Sequence, residues 1–401
     1  MKKKTKLTPS LLLYYSLMPL LLLYCKVRLK IKFKKPAVNL KKDTYLILAN
    51  HVCPVDFLIY TLMFFPKKIN YVVAENMANR RLYRWFINHY RTIKRHQFSN
   101  DFASIKSIKG NLDKGVNVLL MPEGKVTIDG RTGYIPPSIA KLVKWLKYPV
   151  VLVKTQGAYL ANPKWNEQTY YKSPVKVDAT CVLSPETIEK MSNEELLAKI
   201  HSVLDNNDQQ YRRDENVVIL KQTAEGLENL LYKCPVCGAE GHFSVAGNKI
   251  TCSACNTVYT YTPGGKIESS TDKPDIPVYV DEWVDFERED CRRTVSDDNF
   301  LITADVDIHM VNGKTNYFEK QGEGLLQLNG SSLVYKGSAL GRPFEIKFDT
   351  DKMATVALVL GHNFEIFNGK IYRFVFEKLK LSTKFALCIE ECYKLKHCNC
   401  N

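Results

Sequence analysis

Acidic residues are scarce where the chain begins. Residues 1–100 hold only Asp43, Asp56 and Glu75 against 20 Lys and Arg, ten of them before residue 36. That segment carries +17 and the other 301 residues −2, which together make the +15 of the whole chain. Such a field fits a polyanionic partner at this end, either nucleic acid or an anionic membrane surface. Low-complexity tracts and internal repeats are also missing. With 45% hydrophobic and 25% charged residues, the composition excludes a mostly disordered chain and a multi-span membrane protein. The twelve cysteines lack the even spacing of a secreted disulfide framework: four come as two Cys-x-x-Cys pairs and the rest are scattered. A reducing, cytosolic setting follows from that pattern.

From Thr8 to Cys25 no charge interrupts an almost wholly apolar run. Lys2, Lys3, Lys4 and Lys6 precede it, and basic and apolar residues alternate from Lys26 to Lys34. Small residues of a cleavage site are absent, and Tyr24 stands where a lipoprotein signal needs a small residue before its cysteine. The run is shorter than the roughly 20 apolar residues of a spanning helix, and Pro19 lies in its middle. Dense basic flanks fit poorly with a buried core helix. The expectation is attachment to the cytoplasmic face of the cell membrane, monotopic or by a single span, with anionic lipids as partners. Nucleic acid has no use for an apolar run inside the basic segment, so nucleic acid is not an expected partner.

Between Lys41 and Val153, short β-rich runs (Tyr45–Ala49, Tyr71–Val73, Val116–Leu120, Val150–Val153) alternate with helical ones such as 57–65 and 76–90, predicting a layered α/β domain with a largely parallel sheet. Ser192-Asn-Glu-Glu195 is a capping box that opens the last strong helix of this domain. Residues 301–377 read as seven short strands, at 301–309, 316–320, 323–328, 332–336, 343–348, 354–360 and 371–377, and an amphipathic helix over about 383–395 closes the chain. That order predicts a small β-barrel capped by a helix, and it looks like the pleckstrin-homology or GRAM-type lipid-binding barrel. The expected domains are a membrane-associating segment at 1–36, an α/β domain at 37–229, a zinc ribbon at 230–262, a linker at 263–290 and a β-rich domain at 291–401.

Asn50-His51-Val-Cys-Pro-Val-Asp56 follows the strand 45–49, where α/β folds place their ligands. Pro54 makes the intervening stretch a turn. Asp56 then accepts from one imidazole nitrogen of His51 and leaves the other free to take a proton from a hydroxyl. A structural turn also fits this pair taken alone. The strand 116–120 ends in Met121-Pro122-Glu123-Gly124, and Tyr148-Pro149-Val150-Val151 enters another strand.

In that order and spacing the chain resembles, over roughly residues 40–205, the glycerolipid acyltransferase family that includes 1-acylglycerol-3-phosphate acyltransferases. Its Asn-His-x4-Asp motif is matched at Asn50, His51 and Asp56, and its Phe-Pro-Glu-Gly-Thr-Arg-Ser motif by Pro122-Glu123-Gly124 before the departure at Lys125-Val126-Thr127. A weaker motif is matched by Thr92-Ile93-Lys94-Arg95. The resemblance implies an O-acyltransferase in which His51 is the general base, Asp56 holds its imidazole, and Arg95, Glu123, Gly124 and Lys125 bind the acceptor. It implies an acyl-coenzyme A or acyl carrier protein thioester as donor and a lysophospholipid as acceptor. Lys125 keeps a cation near the missing Arg but loses its fork geometry, and Arg95 also fits one more solvated charge. A catalytically degenerate membrane adaptor that recruits a partner through its appended modules is the alternative, motivated by the missing Thr-Arg-Ser.

Cys234, Cys237, Cys252 and Cys255 form Cys-x2-Cys-x14-Cys-x2-Cys, the spacing of two knuckles that give four thiolates to one structural zinc. Four sulfurs leave no open position for catalysis. No redox or organic cofactor is expected.

Overall fold

The computed structural model describes residues 11–36, 43–75, 90–95, 102–166, 172–273, 275–313, 317–376 and 381–397, together with residues 77, 85, 87 and 315. The chain divides into two compact units, Met1–Val217 and Val218–Asn401.

In the first unit a helix α1 (Leu11–Arg28) leads into an edge strand β1 (Lys30–Lys34). Then follow β2 (Leu46–Ala49), α2 (Asp56–Phe64), β3 (Ile69–Ala74), β4 (Ile93–Arg95), α3 (Phe102–Leu112), β5 (Asn117–Leu120), α4 (Ser138–Leu146), β6 (Val150–Gln156), α5 (Ala158–Ala161), β7 (Pro174–Leu183), α6 (Pro185–Lys190), α7 (Asn193–Leu204) and α8 (Asp208–Asp214). Seven strands form one sheet in the order β1-β7-β6-β2-β5-β3-β4. The five from β6 to β4 are mutually parallel, so their C-terminal ends open on one side. β7 runs antiparallel to β6, with β1 parallel to β7.

β2 and β5 are buried at every position, as expected for strands covered on both faces. On one face Leu46, Leu48, Val118, Leu120, Val150 and Leu152 pack against Ile139 and Val143 of α4 and Leu196, Ile200 and Leu204 of α7. The apolar residues of α4 recur at helical spacing, with Lys141 exposed on the other side and Lys144 reaching round to donate to Met191 O. The capping box stands at the start of α7, with the Ser192 hydroxyl accepting from Glu195 N and the Glu195 carboxylate from Ser192 N. The helix expected over 76–90 lies largely outside the described residues.

α1 is almost wholly apolar from Leu11 to Cys25, and its described side chains are covered at every fourth position. Tyr14, Met18 and Leu22, spaced by four, are covered, with Tyr14 OH donating to Lys67 O (2.5 Å) and its ring beside Phe65 (6.2 Å). Leu12, Tyr15, Leu20, Leu23 and Val27 stay 48–81% exposed. Among the described residues no helix is long and apolar enough to cross a membrane.

The second unit opens with a four-stranded ribbon, β8 (Phe243–Ala246), β9 (Lys249–Cys252), β10 (Val258–Tyr261) and β11 (Ile267–Ser269), each antiparallel to the next. A helix α9 (Val280–Val295) follows. Then come β12 (Ile302–Val311), β13 (Phe318–Leu328), β14 (Ser332–Ala339), β15 (Arg342–Asp349), β16 (Ala357–Val359), β17 (Asn363–Asn368), β18 (Lys370–Val375) and the closing helix α10 (Ser382–His397). The boundary between units falls at residue 217, not 229, because residues 219–231 already pair with the ribbon: Ile219 N donates to Pro263 O and Ala224 N to Gly247 O. Residues 263–290, expected as a linker, hold β11 and most of α9. Trp283 is fully buried on α9, its ring against Tyr259 (4.9 Å) and its Nε1–H donating to Lys233 O (3.1 Å).

The C-terminal sheet, ordered β15-β14-β13-β12-β18-β17-β16, holds seven strands, though not the seven expected. Runs 316–320 and 323–328 are one strand, β13. Gly322 and Gly324 do not interrupt it; they let β14 come close, since a Cβ at Gly324 would lie 2.6 Å from Gly337 Cα. The hairpin β17–β18, turning at left-handed Gly369 (φ 69°), supplies a strand that the spacing did not single out.

Candidate active site

β2 ends at Ala49, and the next seven residues form a turn that closes on the first residue of α2. The carboxylate of Asp56, fully buried, holds this turn: Oδ2 accepts from Val52 N (2.7 Å) and Cys53 N (3.0 Å), and Oδ1 from Cys53 Sγ (3.1 Å). The same Oδ2 lies 3.0 Å from His51 Nδ1. An ionised carboxylate only accepts, so Nδ1 carries the hydrogen and Nε2 keeps its lone pair. The position at the start of α2 adds the favourable end of the helix dipole to the Asp56 charge. His51 itself is only partly covered, its side chain 22% exposed, which leaves a substrate access to the ring. Asn50 fastens the base of the turn. Its amide donates to Thr155 O (2.8 Å) and accepts from Thr155 N (2.8 Å) on β6, and Tyr60 OH donates to Asn50 O (2.6 Å).

β5 delivers the second segment beside the first, its register pairing Leu48 with Leu120. Glu123 is buried, and both carboxylate oxygens face backbone: Oε1 accepts from His51 N (2.8 Å) and Oε2 from Gly133 N (2.7 Å). Burial raises its pKa from 4.5 to about 7, against the lowering by these two hydrogen bonds; Lys125 lowers it further and Asp56 raises it. Glu123 therefore acts here as a brace on the His51 backbone. Gly124 adopts φ 70° in a tight turn, donating N–H to Met121 O (3.1 Å), where a side chain would be strained. Lys125 is half-buried in the same loop. Arg95 ends β4, three strand spacings from β2, or about 14 Å across the sheet. The structure thus brings His51, Asp56, Glu123, Gly124 and Lys125 together and sets Arg95 further along the same open edge.

Residues beyond the Pro-Glu-Gly turn join the site without having been singled out. Thr127 N donates to His51 O (2.9 Å), and Thr127 Oγ1 accepts from Gly130 N (3.1 Å). Arg131 Nε donates to Asp129 Oδ2 (2.8 Å), which commits much of its charge within the loop. An Asp-Gly pair followed by a cation, seven residues after proline, was the only local sign of an ordered turn.

In the second unit the four cysteines converge. All four Sγ atoms lie within 4.8 Å of one another, with Cys234–Cys255 and Cys237–Cys252 both at 3.8 Å. Tetrahedral zinc, about 2.3 Å from each sulfur, sets sulfur–sulfur edges of about 3.8 Å, so this set fits a zinc ion. Each pair sits on a knuckle with a left-handed residue after its second cysteine, Gly238 (φ 76°) and Asn256 (φ 60°). Gly238 N donates to Cys234 O and Asn256 N to Cys252 O, both at 2.8 Å.

Residues 29–154 match the sequence model of the family described as Acyltransferase. No curated protein matches the chain. Among solved structures, the crystal structure of the 1-acyl-sn-glycerophosphate (LPA) acyltransferase PlsC from Thermotoga maritima is similar, at 16% identity and a TM-score of 0.41, over 50% of this chain and 81% of that one. His51, Asp56, Arg95, Glu123, Gly124 and Lys125 all lie inside the matched segment, and the four cysteines lie outside it.

Glu123 binds its proton more tightly folded than unfolded, so it contributes stability that is complete below 4.5 and lost as pH rises through about 7. In Glu123→Gln this dependence is absent. The urea midpoint of the wild type should fall relative to the variant between pH 5 and pH 8, and parallel midpoints across that range would contradict the burial cost assigned to Glu123.

Proposed function

We propose that the protein is a membrane-associated O-acyltransferase that moves an acyl group from a thioester donor, acyl-coenzyme A or acyl carrier protein, to a hydroxyl of a lysophospholipid. The observation that carries this reading is the His51–Asp56 pair, 3.0 Å apart at the open end of the parallel strands and inside the Acyltransferase-family segment. His51 Nε2 takes the proton of the acceptor hydroxyl as its oxygen attacks the thioester carbonyl. The tetrahedral intermediate collapses with loss of the thiolate, which recovers the proton from the imidazolium. Asp56 holds Nδ1–H throughout and stabilises the transient positive ring. No residue of the chain becomes acylated in this sequence. Lys125 and Arg95 supply cations along the edge for an anionic head group or the donor's phosphates.

The first unit holds 36 Lys and Arg against 17 Asp and Glu, a net of +19. The exposed apolar side of α1 and the exposed Lys30, Lys32 and Lys34 of β1 form the surface through which this unit attaches to the cytoplasmic face of an anionic membrane. Cys234, Cys237, Cys252 and Cys255 hold one structural zinc, which ties the two knuckles of the ribbon together. The barrel behind it resembles the pleckstrin-homology or GRAM arrangement in strand order and closing helix. Its unit holds 21 Lys and Arg against 25 Asp and Glu, so a partner other than anionic lipid suits it on charge.

His51→Ala should lower acyl transfer to a panel of lysophospholipids by roughly a thousandfold; turnover equal to wild type would sink the mechanism, and no transfer by either protein would favour the adaptor reading. In vesicle flotation, the double variant Leu20→Glu and Leu23→Glu should lose binding to phosphatidylglycerol-containing vesicles by on the order of tenfold, whereas unchanged binding would remove α1 from the attachment surface. Purified native protein should release one zinc per chain to a thiol-blocking reagent, and a metal content near zero would refute the ribbon assignment.

A further inference from the structure

Asp208 is a fully buried carboxylate that lies beyond the family-matched segment and is used by none of the steps above. It opens α8, yet its side chain turns to two loops of the sheet's open edge. Oδ1 accepts from Gly157 N (2.8 Å) and from Asn206 Nδ2 (2.8 Å), and Oδ2 accepts from Tyr159 N (2.9 Å). Its own N–H donates to Gly130 O (3.0 Å). Among the described residues no basic side chain pairs with it. Burial raises its pKa to about 6, the hydrogen bonds oppose that rise, and the charge of Asp56 adds to it, which places Asp208 within electrostatic reach of the His51 turn.

The groups that Asp208 holds lead directly to His51. Tyr159, fixed by Oδ2, donates its hydroxyl to Ile128 O (2.7 Å). Gly130, fixed through the Asp208 backbone, is wedged so closely that a Cβ would lie 3.0 Å from the Tyr159 ring and 3.1 Å from Asp208 Cβ. Asn206 and Thr132 complete the strap, with Thr132 N donating to Asn206 O (2.9 Å) and Asn206 N to Thr132 Oγ1 (2.8 Å). Between Ile128 and the dyad stands only Thr127, whose N–H donates to His51 O (2.9 Å). At the loop's other end Gly133 N shares Glu123 with His51 N. Residues 127–133 follow directly on the departure from Thr-Arg-Ser at Lys125-Val126-Thr127, and they are clamped from α8 rather than from within the motif.

The geometry points to Asp208 as a positioning residue for acyl transfer: it locks loop 127–133, and through Thr127 the His51 turn, so the working site extends about 80 residues beyond Pro122-Glu123-Gly124. This deepens the acyltransferase reading and rests on it. Asp208→Asn keeps the shape but offers an N–H₂ where an acceptor is needed, facing either Tyr159 N or Gly157 N.

Hydrogen exchange of the full-length protein separates positioning from local packing. In Asp208→Asn the amides of Gly157 and Tyr159 should lose protection, the Thr127 amide should exchange faster as well, and kcat should fall roughly tenfold with the donor KM within about twofold. A Thr127 amide as protected as in wild type, together with an unchanged kcat, overturns the proposal. Should that variant fail to fold, Tyr159→Phe removes the hydroxyl that donates to Ile128 O; faster Thr127 exchange with a severalfold lower kcat supports the latch, and no change in either overturns it. If the wild type transfers no acyl group, the acyltransferase reading falls, while Thr127 exchange in Asp208→Asn still decides whether the latch exists.

Discussion

Three buried carboxylates at this site are each held by a pair of backbone N–H groups, and the site is built from these three repetitions of one arrangement. Asp56 gathers Val52 N and Cys53 N before it reaches the His51 ring; Glu123 gathers His51 N and Gly133 N; Asp208 gathers Gly157 N and Tyr159 N. Backbone donors cannot rotate away, so each acid fixes a loop at a single register. The price is burial of three acids at one end of one sheet, visible as the elevated pKa of Glu123 and Asp208 and in the part Asp56 plays in raising both. The +19 of this unit surrounds them with positive potential, which offsets the crowding from a distance without placing an ion pair at the base.

What was legible in the sequence was whatever neighbouring residues decide. His51 and Asp56 are five apart around Pro54, the strands β2, β5 and β6 are continuous apolar runs, and the cysteine pairs announce their own spacing. Asp208 was illegible because its partners lie 51 and 49 residues away, and nothing in Asn206-Asn207-Asp208 beyond a helix start marks it. Glu123 was legible as a site residue, whereas its partners were not: both are main-chain donors, which carry no signature in side-chain identity. In the C-terminal sheet, Gly322 falls between two expected runs, yet close approach of β14 makes it a strand residue. Glycine marks both situations, and only the neighbouring strand distinguishes them.

Among its described residues the second unit uses the same arrangement once. In the first, loops are fastened by acids under backbone donors. In the second, α9 grips the entrance to the ribbon: Glu287 accepts from Tyr232 N (2.6 Å) and Lys233 N (2.9 Å), immediately before Cys234. Cys291 on α9 and Cys388 on α10 bring their sulfurs to 3.1 Å, and Lys384 on α10 reaches Glu240 beside the four-stranded sheet, so both helices and that sheet share one set of contacts.

The short helix α2 joins two things that are otherwise unrelated. Its first residue is Asp56, and its far end packs against Tyr14 of α1, so nine residues, about 12 Å of helix, separate the carboxylate beside His51 from the covered side of α1. α2 is therefore a short rigid link, and a displacement of α1 is carried along one helix to the carboxylate that holds the His51 ring.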